Sequence, residues 1–137
     1  MASTLKINTL TGVTTAGSIA VTGEGNSTTT NLQQGLCKVC VTFDGTASGA
    51  TIRDSFNVAS TDDDGTGIYG VNFTASMGNS NFPGLAGRGV NTGGETTGNA
   101  NCNKYTTGSI DQINAYGDGG SQADRDNITC QVTGDLA

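Results

Sequence analysis

Apolar and polar residues alternate along this chain in short runs, and no stretch keeps the apolar spacing of a helix. The first run covers positions 4–10, where Leu5 and Ile7 share a face and Leu10 falls out of phase beside the turn Thr11-Gly12. A second run at 18–22 puts Ile19 and Val21 on one face before Gly23-Glu24-Gly25-Asn26 ends it. Period two predicts half-buried strands. Two strands with such narrow apolar stripes cannot bury them alone. Positions 1–35, closed by the polar tract Ser27-Thr28-Thr29-Thr30-Asn31, are therefore expected to form an extended arm, trimeric or docked on a neighbour. Its expected assembly contacts are Leu5, Ile7, Leu10, Ile19 and Val21.

Positions 36–137 predict a compact β domain. The run at 37–43 places Cys37, Val39, Val41 and Phe43 on one face, and Asp44-Gly45 is a turn signal. One further strand is expected at 52–59, with Phe56 and Val58 inward. The acidic stretch at 61–67 reads as a turn, and 68–74 as a strand with Tyr69, Val71 and Phe73 on one face. Positions 77–102, rich in Gly and Asn and holding Pro83, predict a long loop with at most short strands. The pattern at 109–116 fits neither period cleanly. A last strand is expected at 127–133, with Ile128, Cys130 and Val132 inward. Val39, Val41, Phe43, Phe56, Val71, Phe73, Ile128 and Val132 are the expected core. The regular strand spacing predicts an all-β fold, an antiparallel sandwich or barrel-like domain.

Composition sharpens the oligomeric expectation. The chain has 137 residues, 22 of them Gly, with 34% hydrophobic and 5% aromatic. Little apolar surface is available for burial, at roughly 25 cal/mol per Å², while glycines add backbone entropy to be lost. Charged residues are only 13%, too few for the usual disordered chain, so association with other copies or with a scaffold is expected. The net charge of −6 and the scattering of Lys6, Lys38, Arg53, Arg88, Lys104 and Arg125 disfavour nucleic-acid binding. No apolar run reaches the ~20 residues of a membrane span. The opening MASTLKINTL lacks the long apolar core of a secretion signal, which predicts assembly in a cytoplasm.

Candidate chemistry is sparse. There is no His, which removes Ser-His-Asp and Cys-His catalysis, and few aromatics could stack a sugar in a two-carboxylate glycosidase. The expectation is a non-enzyme without a cofactor. Cys37-x-x-Cys40 resembles half of a metal or thiol motif, but residues three apart on a flat strand face opposite ways. Cys102 and Cys130 stand far apart in sequence, and whether any pair forms a disulfide is left open. Asp62-Asp63-Asp64-Gly65 offers oxygen ligands without the spacing of an EF-hand loop, so an ion there is left open too.

Several segments bear a family resemblance. The opening 1–12, the run 18–35, Asp54-Ser55-Phe56-Asn57-Val58-Ala59-Ser60, Asp64-Gly65-Thr66-Gly67 and Gly134-Asp135-Leu136-Ala137 resemble virion structural and tail-fibre-like proteins of marine tailed bacteriophages. The resemblance is specific over the first 75 residues and the C-terminal tail, and weak across 77–127. In that family an Ala and an aromatic stand where this chain has Cys37 and Cys40. The resemblance implies a β-structured, trimeric particle component located on the virion. The expected role is a head decoration or cement-type protein that meets the major capsid protein or tail proteins. The alternative is a short tail fibre or receptor-binding module whose 77–102 region touches a host surface glycan or protein.

Overall fold

The runs with the strongest apolar faces become the centres of two sheets. A computed structural model describes residues 5–12, 19–23, 29–89 and 98–137. Strands β1 (Ala20–Thr22) and β2 (Thr29–Asn31) pair antiparallel, and the single helical turn α1 (Leu32–Gly35) follows. Asn31 caps that turn, its side-chain oxygen accepting from the Gln34 N–H at 3.1 Å. Then come β3 (Cys37–Asp44), β4 (Thr51–Phe56), β5 (Val58–Gly65) and β6 (Ile68–Phe73). The last four are β7 (Gly84–Gly89), β8 (Ala100–Tyr105), β9 (Ser109–Ala115) and β10 (Asn127–Thr133). Sheet one runs β4-β3-β10-β7 and sheet two runs β5-β6-β9-β8, with every ladder antiparallel.

The sheets bury one face each against the other. Val39, Val41 and Phe43 of β3 with Ile128, Cys130 and Val132 of β10 meet Tyr69, Val71 and Phe73 of β6 with Ile110, Ile113 and Ala115 of β9. Phe43 and Tyr69 pack edge to face at 5.3 Å across the interface. Each large apolar side chain so buried contributes about 1.5–3 kcal/mol. The chain passes from sheet one to sheet two through one residue, Asn57, held at φ 57. Asn tolerates this left-handed conformation better than most residues. Its side-chain amide donates to the Lys38 carbonyl at 3.0 Å and to the Ala75 carbonyl at 3.1 Å, and its oxygen accepts from the Ala75 N–H at 2.7 Å.

Several expectations require correction. The single strand at 52–59 is two strands in different sheets, broken at Asn57. Phe56 is not in the core but 58% exposed. A bulge explains this: Phe43 pairs with Ile52 and Thr42 with Asp54, so Arg53 is an extra residue that reverses the facing of everything after it. The acidic stretch is not a turn, because Asp62, Asp63 and Asp64 belong to β5 and only Thr66-Gly67 turns. The 77–102 region holds β7, a full partner of β10, and the start of β8; its positions 90–97 lie outside the described residues. The ambiguous 109–116 pattern is strand β9, where Ile110 and Ile113 both face inward because the segment between them bulges against Tyr69 and Val71. Near the N-terminus, residues 5–10 join no ladder, since no described segment offers them a partner strand, while the polar Thr29–Asn31 does pair.

Candidate assembly interface

The five residues expected to make assembly contacts occupy an unusual position for large apolar side chains. Leu5 is 79% exposed, Ile7 51%, Leu10 54% and Val21 51%, while Ile19 is half-buried. Leaving such groups in water forgoes about 1.5–3 kcal/mol apiece. The base of this segment is fastened to the sandwich. The buried Lys38 ammonium donates to the carbonyl of Gln33 in α1 and, at 3.2 Å, to that of Leu36 just after it. Gln34 donates to the Asp135 carboxylate at 3.2 Å.

The outer faces of the two sheets differ in character. Outside sheet two, Asn72 donates to Asp62 at 2.6 Å and to Ser60 at 3.0 Å, and Asn114 accepts from Gln112 at 2.9 Å and Gln122 at 3.0 Å. Polar groups are matched with polar groups there. Outside sheet one, a row of directly opposed residues crosses all four strands: Phe56, Cys40, Gln131 and Leu85. Leu85 is 73% exposed at one end of the row, and exposed Phe56 stands at the other. Beside the row lies a cleft of about 330 Å³, with Thr42, Asp54, Gly87 and Thr129 among its lining residues. Sequence reasoning missed both ends of this row. Phe56 was assigned to the core for want of the Arg53 bulge, and Leu85 lies in a glycine-rich run that gives no strand signal.

The cysteines fall into two pairs, all thiols free. A second bulge leaves Lys38 as an extra residue, with Val39 opposite Val132 and Cys37 opposite Thr133, so Cys37 and Cys40 both face outward as neighbours, and the Cys37 thiol donates to the Val39 carbonyl at 3.1 Å. The flat-strand expectation of opposite facing is thereby corrected. Burial, followed by the neighbouring Cys37, raises the pKa of Cys40. Cys102 of β8 and Cys130 of β10 are neighbours between the sheets, both packed on the core. Among the described residues no three His, Cys, Asp or Glu side chains converge as a metal site would need, and that includes the Asp62–Asp64 stretch. Asp62 instead packs over Gly70 and accepts from Asn72. No helix among the described residues is long and apolar enough to cross a membrane. An open depression of about 540 Å³ at the far end of sheet two is lined by Asn99, Asn101, Tyr116 and Asp118.

No protein-family model matches this sequence, and no curated protein and no solved structure matches it.

Proposed function

We propose that this protein is a structural component of a bacteriophage particle surface, a head decoration or cement-type protein that links neighbouring subunits through its N-terminal arm. The observation that carries the reading is the exposure of Leu5, Ile7, Leu10 and Val21 on a segment whose base is tied to a β-sandwich. Burying the first three against a neighbour would contribute about 1.5–3 kcal/mol each, enough to hold copies together when several arms act at once. The exposed Phe56 and Leu85, at the two ends of a row that also holds Cys40 and Gln131, supply apolar footholds for such an arm, in another copy of a homotrimer or beside a capsid or tail protein. The segments that resemble tailed-phage virion proteins support a location on the virion. The scarcity of catalytic groups favours a structural role over an enzymatic one.

A tail-fibre or receptor-binding role is the second reading. It is favoured by the depression bearing Tyr116, Asn99, Asn101 and Asp118, a mix of aromatic, amide and carboxylate groups suited to a host glycan.

The test replaces Leu5, Ile7 and Leu10 together with Asp in the full chain. These side chains are exposed, so the sandwich should keep its circular-dichroism spectrum. The expected result is a trimer for the parent by sedimentation, a monomer for the variant, and loss of the variant from particles. A variant that keeps the parent's mass and its occupancy on particles sinks the assembly reading.

A further inference from the structure

Cys102 of β8 and Cys130 of β10 pack on the same core from opposite sheets. β7 and β8 are the edge strands of opposite sheets, and β7 has small residues on its inner face. Gly84 leaves room so tight that an added methyl would sit 3.0 Å from both the Ile110 side chain and the Tyr105 ring. Ala86, the partner of Cys130 across the β10–β7 ladder, packs on the same core. Cys102 is paired with Ile113 in β8–β9, and its thiol reaches across to the Cys130 thiol. We propose that Cys102 and Cys130 are an oxidisable dithiol that reacts with low-molecular-weight disulfides and closes to a covalent link between the sheets.

The two thiols are differentiated for this reaction. The neighbouring Cys130 lowers the pKa of Cys102, while the neighbouring Cys102, followed by burial, raises that of Cys130. Cys102 is also the more exposed of the two. Its thiolate attacks one sulfur of a small disulfide RSSR, forming a mixed disulfide and releasing RS⁻. The Cys130 thiol then loses its proton and attacks the Cys102 sulfur, expelling the second RS⁻. Two protein thiols are oxidised, RSSR is reduced to two RSH, and both thiol protons end on the leaving groups. Cys37 and Cys40 lie on one strand, β3, so a bond between them would not join the two sheets. The link would join residues 102 and 130 and close the intervening loop, which constrains the unfolded chain.

The experiment treats the folded full-length protein with 2-hydroxyethyl disulfide, removes the reagent, and counts thiols alkylated by N-ethylmaleimide in denaturant. The expected result is loss of two of the four thiols, a peptide map joining Cys102 to Cys130, and a melting temperature raised by roughly 10 °C. The double variant Cys37→Ser/Cys40→Ser should close the same link. Cys102→Ser, at the half-buried member, should fold and show no internal link. Four alkylatable thiols after treatment, or a map that joins Cys37 or Cys40 to any partner in place of the Cys102–Cys130 link, overturns the proposal. Both outcomes are independent of whether the N-terminal segment mediates assembly.

Discussion

Tyr69 is the residue on which most distant parts of the chain converge. Its ring is fully buried against Phe43, and its hydroxyl is within hydrogen-bonding distance of the Gly45 carbonyl at 3.1 Å and the Asp124 carboxylate at 3.2 Å. The Arg125 N–H donates back to the same oxygen at 3.4 Å. Burial, the larger influence, and the neighbouring Asp124 both push the phenol pKa up, so Tyr69 stays neutral across the accessible pH range. The β3–β4 turn and the 117–126 loop are therefore anchored to one buried oxygen. Gly45 must stay small there, because an added methyl would lie 2.5 Å from the Tyr69 ring. Tyr69→Phe keeps the ring and removes the hydroxyl, so one of the Gly45 carbonyl and Asp124 loses a donor and the Arg125 N–H loses this acceptor. The expected cost is about 1–3 kcal/mol, read as a lower urea midpoint at unchanged slope. A midpoint equal to the parent's would mean that water replaces the hydroxyl at no cost.

Strands and bulges govern what a period-two reading can recover. Where a strand is regular the reading transfers: Val39, Val41 and Phe43, then Tyr69, Val71 and Phe73, and Ile128, Cys130 and Val132 all face the core. Where one residue is inserted the reading fails, because every later side chain changes sides. Arg53 turns Phe56 outward, the 111–112 insertion gives Ile110 and Ile113 a helix-like spacing, and Lys38 brings Cys37 to the face of Cys40. Nothing in the local residue types announces these insertions, since their cause is the partner strand's register. β7 was illegible for another reason. Its inward Gly84 is small because Tyr105 and Ile110 press on it from the opposite sheet, and Ala86 adds only a methyl to the core, so no apolar run marks it. Of the candidate interface, the N-terminal apolar positions could be read from the sequence, and the Phe56–Leu85 row could not. The facing of Phe56 can be checked by comparing two truncations. Phe43→Ala, in the core, should cost about 3–5 kcal/mol, whereas Phe56→Thr should change monomer stability by no more than about 0.5 kcal/mol. Comparable losses at the two positions would place Phe56 inside after all.

At the scale of the whole molecule, the sandwich and its N-terminal segment differ in how they use apolar side chains. Among the described residues, the sandwich and its connections bury fifteen hydrophobic residues. It still leaves Phe56 and Leu85 at opposite ends of one cross-strand row, and Leu36 exposed where α1 meets β3. Leu5, Ile7, Leu10 and Val21 add four more exposed groups on the preceding segment. Scattered exposed leucines are ordinary in soluble proteins, so the proposed assembly role has to be tested by whether these exposed groups are buried between copies. If copies of the chain satisfy these surfaces mutually, folding and association are linked, and stability must depend on protein concentration. A folded trimer in equilibrium with unfolded monomers melts at higher temperature as its concentration rises. A monomeric sandwich has one melting temperature at every concentration. Calorimetry of the full chain over a hundredfold range of concentration should therefore give a rising transition. In the Leu5→Asp/Ile7→Asp/Leu10→Asp variant the transition should be flat and lower. A transition in the parent that does not move with concentration would mean that the exposed surfaces contribute nothing to holding copies together in solution, leaving a particle lattice as the only place where the segment could find its partner.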